Sequence, residues 1–441
     1  MTSRIELKNV QGDIVPGLPK KAESFFFFEI GNVESFRREL NKLVPLIATG
    51  ESVASDRKAI REQRQSSSSL LPVAFLNIAF SAKGLKKLGF DPAESKDDGF
   101  SNGQFADAKE LGDDMKPSSS EPVWIPEFQK VIDGVLLVAG DGKHSVHRHL
   151  SKALAILDGS VKEVLNLFGH VRPGKEDGHE HVIFCGRDGD SVSGRPSWTL
   201  DGSFLAFRLL QQLVPEFDQF LAENALQVGD PTVNGAELLG ARLTGRWKSG
   251  APLAITPLRD NPDLAKDPER NNRFEFDPAS QEACPFAAHV RKMNPRGDIP
   301  LEKFINPHRV LRRGIQYGPE VTAEERKNSR TERDRGLLFV SYQSSLKDGF
   351  QFLQKSWANP TTFPPNKAQQ PGQDPLIGQI VDQDNQGARS MTGANPGDTG
   401  STLDLGFQKW VIAKGGEYFF SPSIPVIRDV FSAGFTIEGK P

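Results

Sequence analysis

The most constraining feature of this chain is an alternation of apolar strands and amphipathic helices across its first 172 residues. Residues 24–30 include four consecutive Phe, and residues 33–43 then place Val33, Phe36, Leu40 and Leu43 on one helical face. The same reasoning predicts strands at residues 24–30, 72–80, 134–139 and 161–171, and helices at residues 33–43, 81–88 and 145–157. The main order, strand–helix–strand–strand–helix–strand, is typical of a ferredoxin-like α+β domain.

The second half of the chain repeats this pattern less regularly. It predicts strands at residues 203–209, 336–342 and 416–420, with helices at residues 215–225 and 346–357. Residues 63–69, 113–122 and 359–402 are polar or rich in Pro and Gly, and are expected to form loops. Because 441 residues exceed one ordinary core, we expect two α+β domains, at residues 1–172 and 173–441.

Composition excludes several classes of function. The 54 Lys and Arg nearly balance the 57 Asp and Glu, which argues against a nucleic-acid partner. No apolar run approaches the roughly 20 residues of a membrane helix, so no membrane partner is expected. The first residues lack a signal-peptide pattern and the chain has no glycan acceptor, which favours a cytoplasmic protein; the alternative is a secreted protein whose leader is absent from this sequence. Two cysteines are too few for a thiolate metal site.

Two histidine patterns are candidates for metal binding. His289 follows an apolar stretch and precedes Arg291 and Lys292, an arrangement that would suit a single axial ligand of heme iron; a structural histidine remains the alternative. His179 and His181 flank Glu180 and would share a face on a strand, but no third ligand is specified.

Nine segments, in order along the chain, resemble motifs of the fungal dye-decolorising peroxidases. They include residues 9–14 (NVQGDI), 169–174 (GHVRPG), 201–208 (DGSFLAFR), 245–252 (GRWKSGAP) and 312–320 (RRGIQYGPE). The others are residues 195–198, 238–242, 415–422 and the segment around His289. The resemblance implies an α+β fold with two ferredoxin-like domains of the dimeric α+β barrel type, and heme b bound mainly by the second.

The resemblance also implies a function and a set of site residues. The expected function is a heme peroxidase that uses hydrogen peroxide to oxidise dyes, phenols and other bulky aromatic substrates in one-electron steps. His289 matches the proximal iron ligand, Arg312 the distal arginine, and Leu337 and Phe339 the lining of the distal pocket. Arg291 is expected to pair with a heme propionate, the alternative being a solvated surface cation.

Two oxidisable side chains match surface electron-transfer sites of the family. Tyr317 and Trp357 are among only three tyrosines and five tryptophans, and substrates too large for a buried heme would need such sites. The alternative is that both residues serve packing or hydrogen bonding.

The chain departs from the family at the distal motif Gly-x-x-Asp-Gly, which is expected directly after His181 but is replaced by residues 182–190. Residues 186–189 are Gly-Arg-Asp-Gly, one residue shorter than that pattern but with the same Asp-Gly ending, so Asp188 either takes the distal acid/base role or remains a turn residue after an internal deletion. Asp177 is a weaker substitute. The alternative function is therefore a heme-binding protein with weak or no peroxidase activity.

Overall fold

A computed structural model describes residues 5–66, 71–171, 184–187, 190–380 and 389–433. The strands are β1 (Ala22–Ile30), β2 (Ala74–Ser81), β3 (Gly134–Gly140), β4 (Val161–His170), β5 (Ser203–Gln212), β6 (Leu311–Arg312), β7 (Ile315–Tyr317), β8 (Gly336–Gln343), β9 (Arg389–Thr392), β10 (Thr402–Gly406) and β11 (Val411–Ser421). The helices are α1 (Val33–Leu43), α2 (Gly50–Ser66), α3 (Ala82–Lys87), α4 (Asp98–Asn102), α5 (Gln104–Leu111), α6 (Lys143–Leu157), α7 (Val214–Glu223), α8 (Gly235–Thr244), α9 (Pro262–Lys266), α10 (His289–Met293), α11 (Ala323–Asn328) and α12 (Ile424–Val426).

The first half forms the predicted ferredoxin-like unit. Its four strands lie in the order β4–β1–β3–β2, each antiparallel to its neighbours. The helix α1 begins where the Asn32 side chain accepts a hydrogen bond from the Ser35 amide, and it buries Phe36, Leu40 and Leu43. The α+β prediction is therefore confirmed here.

The C-terminal strand β11 joins the two halves into one sheet. It pairs with β2 at Phe420↔Phe80 and, over its whole length, with β5, which in turn pairs with β8. The strand β4 lies at one end of the sheet and β7, paired with β8, lies near the other end. These two strands contact each other: a Cβ on Gly169 of β4 would lie 2.7 Å from the Gln316 carbonyl oxygen of β7. The sheet thus curls so that its two ends meet. The predicted boundary between residues 172 and 173 falls where the described residues break off, and it stays a prediction.

The phenylalanine run of β1 has both of its faces buried. Phe26 and Phe28 pack in one core with α1 and α6, whereas Phe25 and Phe27 pack in a second core that includes Phe207. All four β1 phenylalanines are at most 3% exposed. Aromatic burial on both faces of one strand therefore links the two cores.

Three expectations about local structure were wrong or incomplete. The helix α2 was not predicted, and it continues through Ser66, where a loop was expected from residue 63. The predicted helix at 346–357 is two π-helical segments, Lys347–Gln351 and Leu353–Ala358. The irregular stretch 359–402 contains β9. None of the described helices is both long and apolar enough to cross a membrane.

Candidate functional site

A cavity of about 2700 Å³ is lined by residues of both halves of the chain, among them the segment 15–21, α2, β6, β8 and the start of α10. It brings together four residues predicted from the sequence: His289, Arg312, Leu337 and Phe339. Among the described residues, its wall carries thirteen Lys or Arg against five Asp or Glu. The cavity therefore favours an anionic or acid-bearing ligand.

His289 lies at the start of the short helix α10. The preceding Ala287 and Ala288 are completely buried, which fixes the backbone, while the imidazole is 24% exposed and lines the cavity. Its Nδ1 lies 2.8 Å from Oδ2 of Asp374, whose side chain is fully buried. A carboxylate partner places the imidazole proton on Nδ1, so Nε2 keeps the lone pair that a metal ion requires.

Asp374 is held in place by three hydrogen bonds. Besides the imidazole, its Oδ1 accepts the backbone amides of Leu376 at 2.9 Å and Ile377 at 3.0 Å. Burial opposes ionisation of this carboxyl, but its interaction with His289 and the backbone hydrogen bonds from Ile377 and Leu376 outweigh burial and hold its pKa below the ordinary value. Asp374 is therefore an anion that orients His289.

A second wall of the cavity is formed by β6 and β8. Leu337 and Phe339 are two residues apart on β8, so both side chains project from the same face of the sheet. Arg312 on β6 pairs with Ser341 of β8 and is exposed to the cavity. One cation thus lies beside an apolar surface.

Two further arginines line the cavity close to Arg312. Burial, together with the positive charges of Arg296 and Arg312, lowers the pKa of Arg246 to about 10. Arg296 also stacks over the Phe274 ring at 3.9 Å. Several cations held near one another are suited to pairing with the carboxylates of a ligand.

The residues present fit an iron porphyrin. The macrocycle would supply four nitrogen ligands, and His289 offers one further nitrogen, with Asp374 already bonded to the other nitrogen of its ring. Apolar side chains line the cavity for the ring, and cations line it for the propionates; the apolar set includes Leu337, Phe339, Phe350, Leu353 and Ile377.

Arg291 does not have the predicted role. It is 1% exposed, does not line the cavity, and forms a two-hydrogen-bond ion pair with Asp298, with both distances 2.7 Å. Its remaining N–H groups donate to the backbone carbonyls of Ser280, Cys284 and Asp277. Because all five donors are engaged inside the protein, the expected propionate pairing is wrong; Arg246 and Arg296 are better placed.

Tyr317 and Trp357 are not surface residues. Tyr317 is 9% exposed and donates its hydroxyl to Asp334 at 3.0 Å, and burial raises its pKa above the ordinary value. Trp357 is 3% exposed and stacks on Phe363, with ring centroids 5.0 Å apart. The expectation that they meet a substrate at the surface is therefore corrected.

Several candidates lie outside the described residues. These are Asp177, Asp188, His179 and His181, so both interpretations of Asp188 stay open. Nearby, the Arg187 guanidinium pairs with Asp201 at 2.5 and 2.7 Å.

Sequence reasoning missed Asp374. It lies 85 residues after His289, in the stretch expected to be irregular. Neither hydrophobic periodicity nor residue spacing predicts a carboxylate that contacts its partner only in the folded protein.

Comparisons with known proteins agree with this geometry. Residues 9–173 match the family model of the DyP dimeric alpha+beta barrel domain, and residues 172–363 match that of the Dyp-type peroxidase C-terminal region. The dye-decolorizing peroxidase msp1 of Mycetinis scorodonius is 38% identical, and the alignment covers 97% of this chain and 88% of that protein.

Solved structures support the same assignment. A mutant of the dye-decolorizing peroxidase from Pleurotus ostreatus is 42% identical with a TM-score of 0.90, covering 97% of this chain and 100% of that one. An ancestral D-type dye-decolorizing peroxidase is 48% identical with a TM-score of 0.89 and the same coverage. The chain belongs to the DyP-type peroxidases, a family of dye-decolorising heme enzymes.

Proposed function

We propose that this peroxidase binds heme b in the cavity and uses hydrogen peroxide to oxidise dyes, phenols and other bulky aromatic substrates in one-electron steps. The observation that carries the proposal is the His289–Asp374 pair, at 2.8 Å, on the wall of a cationic cavity that also contains Arg312. Bound heme supplies the iron that activates peroxide and accepts electrons from the reductant.

His289 and Asp374 act as a pair. Asp374 holds the imidazole proton at Nδ1 and fixes the plane of the ring, so that Nε2 of His289 would hold the iron of a bound heme. Its negative charge makes the imidazole a stronger electron donor, which favours the oxidised metal.

Arg312, which lines the same cavity as His289, is proposed to act on peroxide. We assign its guanidinium to stabilise the negative charge that develops on peroxide oxygen as the O–O bond breaks. Peroxide cleavage also requires a group that moves a proton between the two oxygens, and Asp188 is proposed for this role, with Asp177 as the weaker candidate.

The electron path to bulky substrates is proposed to pass through buried aromatic residues. Trp357 contacts the ring of His308, with centroids 5.4 Å apart, and His308 lines the cavity. A relative has been solved as a complex with 2,6-dimethoxyphenol, a small reductant suitable as a reference. Changing Tyr317 or Trp357 to Phe should lower turnover of bulky dyes and spare 2,6-dimethoxyphenol; equal losses with both substrates would refute this path.

The second candidate function, heme binding without efficient peroxidase activity, is favoured by the departure from the family's distal motif. The two functions differ in one assay, peroxide-dependent oxidation of 2,6-dimethoxyphenol by the hemin-reconstituted protein. Turnover that Asp188→Asn lowers by about 10²–10⁴-fold supports the peroxidase with Asp188 as acid/base. A normal Soret band without turnover supports the heme-binding protein.

A further inference from the structure

Lys292 is a cation buried behind the wall of the cavity. It follows His289 by three residues on α10, so the two residues lie on the same side of this helix. Lys292 is completely buried and does not line the cavity. Its Nζ donates to the backbone carbonyls of Trp357 at 3.1 Å and Pro360 at 2.7 Å. Within the described part of the chain no carboxylate forms an ion pair with it, so only neutral groups bind this charge.

Arg389 of β9 is a second buried cation of the same kind. It is 2% exposed and does not line the cavity, and its Cζ lies 5.1 Å from the centroid of the Trp410 ring. Its guanidinium donates to the backbone carbonyls of Pro375 at 3.1 Å and Gln408 at 2.5 Å, and no described carboxylate forms an ion pair with it. A buried charge bound only by neutral groups is costly, which calls for an explanation of both cations.

The backbone contacts of both cations lead to Asp374. Arg389 binds the carbonyl of the residue that follows Asp374. Lys292 binds the carbonyl of Trp357, and the next carbonyl along the chain, that of Ala358, accepts the Asp374 amide at 2.9 Å. Burial lowers the pKa of Lys292 to about 7 and also lowers that of Arg389, and the charge of Asp374 opposes both shifts. At mildly acidic pH both side chains are therefore cations near one buried carboxylate.

Two positive charges near Asp374 reduce its attraction for the His289 proton. Asp374 accepts this proton from Nδ1, and a more basic carboxylate makes the imidazole more anionic. Charges inside a protein interact more strongly than in water, because the effective dielectric constant is lower. Lys292 and Arg389 therefore lower the basicity of Asp374 and keep the proton on Nδ1.

We propose that Lys292 and Arg389 are positioning residues of the His289–Asp374 pair that act by charge: they limit electron donation from the imidazole and so raise the reduction potential of the bound heme. The inference rests on the proposed function only in placing the heme iron on Nε2 of His289. Neither cation lines the cavity, so neither contacts the heme or a substrate. A less electron-rich iron is a stronger oxidant, which suits reductants that are difficult to oxidise.

The test measures the reduction potential of the hemin-reconstituted protein by spectroelectrochemistry at mildly acidic pH. Lys292→Gln and Arg389→Gln remove the charge and keep N–H donors for the carbonyls. Each should favour the ferric form about 10-fold at a given potential, a fall of about 59 mV for this one-electron couple. The Fe–His stretching frequency of the ferrous protein should rise, because the imidazole becomes more anionic. Either variant is sufficient if the other does not fold.

A second background separates the route through Asp374 from a direct effect of these charges on the iron. In Asp374→Asn the side chain that faces His289 is neutral, so Lys292→Gln should change the potential much less there than in the unmodified protein. An equal shift in both backgrounds would overturn the proposed route.

The matched control is Arg242→Gln. Arg242 is also fully buried, lies outside the cavity wall and donates to three backbone carbonyls, none of them next to Asp374 in the chain. This variant should lower the free energy of unfolding and leave the potential unchanged. An unchanged potential in the Lys292 and Arg389 variants, or an equal fall in Arg242→Gln, would overturn the proposal. The expected shifts in a protein without peroxidase turnover would support it and count against the proposed function alone.

Discussion

The substitution Asp374→Asn tests directly whether the Asp374 carboxylate orients His289. The carboxylate accepts three N–H groups, two from the backbone of Leu376 and Ile377 on Oδ1 and one from His289 on Oδ2. In the variant, two backbone donors keep the amide oxygen on their side, so the amide NH₂ faces His289. Nδ1 must then accept a hydrogen bond, and the imidazole proton moves to Nε2, the nitrogen needed by iron.

The expected loss of hemin affinity follows from this move of the imidazole proton from Nδ1 to Nε2. Loss of an outer partner of a metal ligand typically lowers metal affinity by about 10–100-fold, which corresponds to roughly 1.4–2.7 kcal/mol. We expect a loss of hemin affinity in this range, measured by Soret titration. The reduction potential of the bound heme should rise, because the imidazole loses its anionic partner.

A matched control separates this effect from general destabilisation. Glu325→Gln alters another fully buried carboxylate, paired with Arg335 at 2.7 Å and absent from the cavity wall. It should lower the free energy of unfolding and leave hemin affinity unchanged. Unchanged affinity and potential in Asp374→Asn would refute the assigned role of this carboxylate.

Arg312, Arg291 and Glu23 each offer a further test. Arg312→Leu should slow the reaction with peroxide by about 10²–10³-fold with an unchanged Soret band; stopped-flow rates like those of the unmodified protein would contradict this. Arg291→Met leaves Asp298 without its main partner and should cost on the order of 3 kcal/mol in urea unfolding; lost hemin affinity at full stability would restore the propionate role. Burial raises the pKa of Glu23 from 4.5 to about 7, although the charge of Lys20 opposes it. The folded state then binds this proton more tightly, so stability should fall as pH rises from 4.5 to 7; Glu23→Gln should flatten that slope, and an unchanged slope would exclude Glu23 as its source.

The elements with strong periodicity were predictable from the sequence. The helix α1 has the predicted bounds because its apolar residues recur at helical spacing, and β1 was evident from its four phenylalanines. The helix α2 was missed because its inward face carries arginines rather than apolar residues, so no apolar period exists there. Hydrophobic periodicity reports only helices that pack on a core.

The candidate site was predictable only in part, for a similar reason. His289, Arg312, Leu337 and Phe339 were identified by resemblance, and the fold places all four on one cavity. The misassigned role of Arg291 shows that a cation near a ligand in sequence need not face it, because this side chain turns into the protein toward Asp298. Asp374 contacts His289 only in the folded protein, because the two residues are 85 positions apart along the chain. No local sequence pattern predicts such a pair.

The most direct test of the account is stopped-flow absorbance of the hemin-reconstituted protein mixed with hydrogen peroxide and 2,6-dimethoxyphenol at mildly acidic pH. We expect a histidine-ligated ferric Soret band that changes rapidly with peroxide and returns as the phenol is oxidised, with both effects lost in His289→Ala. A Soret band and turnover that survive His289→Ala would contradict it.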